Sequence, residues 1–157
     1  MRVDYSKVLK LQFQSKLLER FPEFEKAAAE FGGVVYRRSI SGGYSVFVFL
    51  LPSPQMQRFT VELAVAPGGS FPFNVLHGEV GPQGELRCRI RSLTQLTGDG
   101  WWYVEDSLIP DTPKSEEEAS REQINAGLAR IPALVESVID HLKVAIPMLI
   151  HVQQPHG

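Results

Sequence analysis

The run from Arg58 to Ala66 constrains this chain more than any other stretch. Phe59, Val61, Leu63 and Val65 alternate there with Thr60, Glu62 and Ala64, the period of two that belongs to a strand with one side turned to a core. Two more extended runs precede it, at residues 34–40 and 44–51. The first is closed by Ser41-Gly42-Gly43, whose glycines supply the positive φ of a tight hairpin turn. The second reads Val46-Phe47-Val48-Phe49-Leu50-Leu51 with no polar alternation, which marks a central strand covered on both sides. Pro52-Ser53-Pro54 ends that strand because proline cannot donate to a ladder, and Pro67-Gly68-Gly69 turns the chain again. Links this short specify an antiparallel meander, since parallel pairing needs long crossovers.

Helical patterns flank these strands. Tyr5, Leu9, Phe13 and Leu17 recur every four residues, with Val8, Leu11 and Leu18 beside them, and predict an amphipathic helix over about residues 4–20 with Asp4 as its N-cap. Pro22, Glu23 and Glu25 suit the first turn of a second, short helix, which Gly32-Gly33 would stop. Towards the C-terminus, Ser115 and Glu118 fit a capping box. Ile124, Leu128, Ile131, Val135, Val138, Leu142, Ala145 and Leu149 then lie on one side of a long helix. Pro132 and Pro147 fall inside it, so two helices and one kinked rod both stay open. Leu134, Ile139, Ile146 and Ile150 widen its stripe beyond a coiled-coil seam, which points to packing on the sheet and the first helix.

Between the two helical regions the pattern is weaker. Residues 70–84 are rich in Gly and Pro, with a short strand expected at 75–80. In residues 85–93, Leu86, Cys88 and Ile90 alternate with Arg87, Arg89 and Arg91, which places the three arginines on one face of a fourth strand. Thr97-Gly98-Asp99-Gly100 is a turn, and Trp101-Trp102-Tyr103-Val104 is an extended segment or a lid on the sheet edge.

The expected architecture is therefore α+β, an antiparallel sheet of four or five strands with N- and C-terminal helices packed mainly on one face. At 157 residues, 43% of them hydrophobic and 22% charged, the chain reads as one domain over residues 1–157. Helices are expected at about 4–31, the sheet at about 33–104 and a C-terminal helical region at about 115–152. A net charge of −2 argues against a nucleic-acid binder with a global positive field. The charged residues Arg2, Asp4, Lys7 and Lys10 leave no apolar core for a secretory signal. Residues 144–152 are interrupted by Pro147 and His151 and fall far below the roughly 18–20 residues of a membrane span. The expectation is a cytoplasmic protein with no membrane association.

Catalytic and metal-binding motifs are missing from the sequence. No CxxC pair and no histidines four apart on a helix occur among His77, His141, His151 and His156, so neither a metal nor another cofactor is expected. No serine stands in a nucleophile elbow. The glycine pairs lack the spacing of a phosphate loop and are explained by turns. Glu105-Asp106 and Glu116 to Glu118 are paired acids, but the second group sits where a helix dipole favours carboxylates anyway. Cys88 lies in a strand-like run without a neighbouring His or acid partner and reads as an inert thiol. The non-enzyme reading follows, with a small enzyme of unrecognised pocket as the alternative.

One surface stands out. With Phe59, Val61, Leu63 and Val65 facing the helices, the other face of the sheet carries Thr60, Glu62, Arg87, Arg89 and Arg91, joined by Arg37 and by Phe47 or Phe49. An open face of arginines beside aromatics suits a protein's acidic patch or a single-stranded nucleic acid. A solvated polar face is the plainer alternative. Trp101 and Trp102 extend the question, because a tandem Trp is commonly one core anchor and one partly exposed ring, and an exposed Trp is a favoured interface residue. The candidate partner-binding residues are thus Arg37, Glu62, Arg87, Arg89, Arg91, Trp101 and Trp102.

The order of these features resembles domain-of-unknown-function family 4304. The likeness rests on an N-terminal helical hairpin, Val34-Val35-Tyr36-Arg37-Arg38 after a glycine, Phe59-Thr60-Val61-Glu62-Leu63, Cys88-Arg89-Ile90-Arg91-Ser92-Leu93, Asp99-Gly100-Trp101-Trp102 and a C-terminal helical region. It covers roughly residues 5–150. The long segment 70–84 and Pro132 depart from the pattern. Families of this kind are similar in size and setting to the small cytoplasmic immunity proteins encoded beside bacterial toxins. The resemblance therefore implies a toxin-neutralising binding protein and supplies no catalytic residues.

Overall fold

A computed structural model describes residues 5–53, 58–76, 78–90, 101–104 and 116–153. The chain runs α1 (Ser6–Arg20), β1 (Glu25–Glu30), β2 (Gly33–Ser39), a short 3₁₀ turn (Ser41–Gly43), β3 (Tyr44–Ser53), β4 (Arg58–Pro67), β5 (Leu86–Arg89), β6 (Trp102–Tyr103) and α2 (Glu116–Gln153). The strands form one antiparallel sheet in the order β1-β2-β3-β4-β5, and β6 pairs with β4. This is the expected α+β meander, with β1 as an added strand at its start and the extended reading of residues 101–104 realised as β6.

The extra strand at the start corrects the helix expected from Pro22. Residues 25–30 read Glu-Lys-Ala-Ala-Ala-Glu, good helix formers in isolation, yet they pair with β2 from Glu25↔Arg37 to Glu30↔Gly33. Pairing with a neighbour that is itself buried outweighs so small a local preference. Phe31 and Gly32 take φ of 52° and 80°, the two consecutive positive values of a hairpin turn. Gly33 follows immediately, and a Cβ there would run into the Leu50 carbonyl and stand 2.7 Å from Phe49 Cε1. The glycine pair closes a hairpin and lets β2 lie against β3; it does not cap a helix.

The strand alternation divides the core in two. On one side Val34, Tyr36, Val46, Val48, Leu50, Phe59, Val61, Leu63 and Val65 pack with Leu9, Phe13 and Leu17 of α1 and with Ile131, Val135, Val138, Ile139, Leu142 and Leu149 of α2. Both helices thus cover one face, as their apolar spacing requires. Lys16 Nζ and Arg20 Nη2 reach Glu136 at 3.2 and 3.7 Å, and the half-exposed charges add little to that packing. Gly127 fits under the Tyr5 ring, where a Cβ would stand 2.8 Å from Oη. α2 is one continuous helix through Pro132 and Pro147. Both prolines lie on its exposed side, where water can serve the carbonyls that lose a helical donor. Leu11 and Leu128, which the periodicity assigned to the buried stripes, stand in solvent.

The second face is covered by the chain itself. Val35, Phe47, Phe49, Ala64 and Ala66 form a smaller cluster with Phe71, against which Phe73 packs. The rings of Phe71 and Phe73 lie 4.7 Å apart and reach Phe49 at 5.2 and 5.4 Å. Residues 68–76 form this cover, and the strand expected at 75–80 reduces to a bridge between Val80 and Leu86. No helix among the described residues is long and apolar enough to cross a membrane. Asp4, Ser115 of the expected capping box and the 97–100 turn lie outside the described residues.

Candidate functional site

The register places the expected residues on one face but gives them different tasks. β4 and β5 pair Glu62 with Arg89 and Ala64 with Arg87, while β3 sets Phe49 beside Glu62 and Phe47 beside Ala64. Arg37 stands opposite Phe47. Thus both phenylalanines join the arginine face, and the face is roofed where an open one was expected. Pro67-Gly68-Gly69 reads locally as a turn, and nothing in it signals that the following phenylalanines fold back onto the sheet.

Glu62 is only 1% exposed. Arg87 Nε donates to Glu62 Oε1 at 2.7 Å, and Arg87 Nη1 donates to the carbonyls of Phe73 and Val75 at 3.0 and 3.1 Å. Its guanidinium also lies 5.3 Å from the Phe71 ring centre. Arg37 Nε donates to Ser45 Oγ at 2.9 Å, and Ser45 Oγ donates to the Gly68 carbonyl at 3.1 Å. Glu62 and Arg87 therefore hold the covering loop to the sheet, and Arg37 reaches it through Ser45; Glu62 is buried and both arginines are partly buried.

Arg89 and Trp101 lie elsewhere, with two residues the sequence reading missed. β6 pairs with the start of β4, Arg58↔Tyr103 and Phe59↔Trp102, so the tandem tryptophans diverge. Trp102 faces the helices, is 5% exposed, stacks on Phe59 at 5.7 Å and meets the His141 ring edge-on at 5.6 Å. Trp101 is half-buried and holds two guanidinium groups, Arg58 at 4.0 Å and Arg89 at 5.2 Å from its ring centre. Arg58 Nη1 also donates to Tyr103 Oη at 3.3 Å, and Tyr103 is 43% exposed. Arg58, Arg89, Trp101 and Tyr103 make one surface cluster at the β4 edge that β5 and β6 share. No local pattern announces it, because Arg58 meets partners more than thirty positions away that only strand pairing brings near. Arg91 lies outside the described residues.

Other candidate chemistry is weaker. The Cys88 thiol, on the helix-facing side of β5, is pushed up to about 11 by burial and then by the charge of Glu62, which suppresses the thiolate a nucleophile needs. His141 Nδ1 lies 2.7 Å from the Ser137 carbonyl, a bond within its own helix. A shallow groove of about 460 Å³ is lined by Arg38, Ile146, Pro147, Ile150 and His151, with little convergent polar chemistry. No family model, curated protein or solved structure matches the chain.

Proposed function

We propose that this chain is a non-enzymatic binding protein, a cytoplasmic immunity protein that neutralises a cognate bacterial toxin by direct binding. The observation that carries the reading is the Arg58–Trp101–Arg89–Tyr103 cluster. Tryptophan, tyrosine and arginine are the residue types that dominate interface energetics. Here Arg58, Arg89 and Tyr103 stand on paired strands and Trp101 directly precedes one, so little conformational freedom is lost when a partner arrives. The resemblance to domain-of-unknown-function family 4304 is part of the same proposal and supplies the class of partner.

The test is co-expression with the product of the adjacent gene. A stable complex, protection of cells from that product and loss of both on Trp101→Ala are the expected results. Neither complex nor protection would overturn the reading.

A second reading is single-stranded nucleic acid stacked on Trp101 and Tyr103 with phosphates at Arg58 and Arg89. It requires affinity that falls steeply with salt, as counterion release demands, and a flat salt response removes it.

A further inference from the structure

We infer that the outer edge of β1 is a docking site for an extended, basic segment of a protein partner, which joins the sheet as a further strand. The inference is independent of the Trp101 cluster, because β1 ends the sheet on the side away from β5 and β6. Glu25, Lys26, Ala27, Ala29 and Glu30 are exposed and Ala28 is half-buried, so three small side chains leave the backbone of this edge open to another chain. No strand among the described residues pairs with that edge, and an open row of N–H and C=O groups is a template for main-chain pairing. Phe31 follows directly. It takes a φ of 52°, a conformation costly for a bulky residue. Its ring is 74% exposed and lies edge-on to Phe73 at 5.0 Å, so it offers an apolar contact to a chain laid along the edge.

The side chains decide what fits. The register with β2 shifts between Lys26 and Ala28, a bulge of the kind that guards an edge against indiscriminate pairing. It also sorts the charges by face. Lys26 and Ala29 stand opposite Tyr36 and Val34 on the helix-covered face. Glu25, Ala28 and Glu30 stand opposite Arg37, Val35 and Gly33 on the other. A second copy paired antiparallel along the whole of β1 would set Glu25 against Glu30 at both ends, and like charges directly opposed repel. A basic segment turns the same two positions into ion pairs, and neither glutamate has an ion pair of its own among the described residues. β2 runs from Arg37 to Gly33 in one position fewer than β1 takes from Glu25 to Glu30. A regular strand carrying Lys or Arg at every second position therefore meets both glutamates from one face.

The experiment titrates the whole chain, at low salt and up to millimolar concentrations, with the blocked hexapeptide Lys-Val-Lys-Val-Lys-Val, its Glu-Val counterpart and a fully N-methylated Lys-Val form. Hydrogen exchange is followed at the amides of residues 25–30. The Lys-Val peptide should slow exchange there saturably, and the other two should not. Glu25→Gln and Glu30→Gln should each weaken the binding about two- to fivefold. Glu25→Lys with Glu30→Lys should reverse the preference in favour of the Glu-Val peptide by about tenfold or more, a readout that an unfolded variant cannot give. No saturable protection in β1, binding that survives N-methylation, or a preference unmoved by the double substitution overturns the inference. So does protection of β1 in the free protein that fades on dilution, which would put a second copy on the edge.

Discussion

Glu62 Oε1 lies 2.7 Å from Arg87 Nε, and the same guanidinium donates to the carbonyls of Phe73 and Val75, so one buried ion pair ties the sheet to the loop that covers it. The two side chains are 2% and 14% exposed. A buried pair of this kind contributes little relative to an apolar replacement but is costly to break from one side.

Removing the acid should therefore be severe. Glu62→Ala is expected to cost about 3–5 kcal/mol, with Glu62→Gln milder because an acceptor for Arg87 Nε is kept. Urea denaturation measures the loss, and hydrogen exchange should rise in residues 68–76 before it rises in α2. A loss below about 1 kcal/mol would mean that the pair does not anchor the loop.

The loop's aromatic plug can be tested separately. Phe71 is 6% exposed and fills the second cluster beside Phe47 and Phe49. Phe71→Ala should cost about 3–5 kcal/mol and raise the binding of a hydrophobic dye to the uncovered sheet face. An unchanged dye signal together with near-native stability would contradict the packing.

Gly33→Ala should destabilise by more than about 2 kcal/mol, because the added methyl meets the Leu50 carbonyl and the Phe49 ring with no free space to enter. Gly32, where no atom stands within 4 Å of an added Cβ, would suffer only the backbone strain of its φ of 80°, about 1–2 kcal/mol. Thermal melts of the two variants separate close approach from turn geometry.

The tryptophans should behave oppositely. Trp102→Ala removes a core ring stacked on Phe59 and is expected to cost about 3–5 kcal/mol. Trp101→Ala should change stability by about 1 kcal/mol or less while abolishing partner binding. Equal losses of stability would place both rings in the core.

Alkaline pH should weaken the fold. Burial pushes Cys88 up to about 11 and Tyr36 up to about 12, so the unfolded chain loses these protons first. Their contribution is complete below the unfolded values and is lost as pH rises through the folded ones. Urea midpoints should fall progressively above about pH 9, and Cys88→Ala with Tyr36→Phe should flatten the decline. An identical decline in that double variant would assign the effect to other groups.

The sequence by itself determined whatever depends on neighbours a few positions apart. The alternation at Phe59, Val61, Leu63 and Val65 selected the helix-facing side of β4, the unbroken run at 46–51 marked β3 as central, and the four-residue spacing of Leu9, Phe13 and Leu17 chose the buried stripe of α1. These are local periodicities, and the hydrophobic effect reads them without knowing the fold. Only the tertiary structure decided that residues 25–30, helical by propensity, would be an edge strand, and that Phe71 and Phe73 would roof the arginine face. It alone divided the arginines, tying Arg37 to Ser45 and Arg87 to Glu62 and setting Arg89 beside Arg58 on the Trp101 ring. Those outcomes depend on strand register and loop closure between distant segments. Energies of that kind belong to pairs of residues far apart in the chain, and a local pattern carries no trace of them.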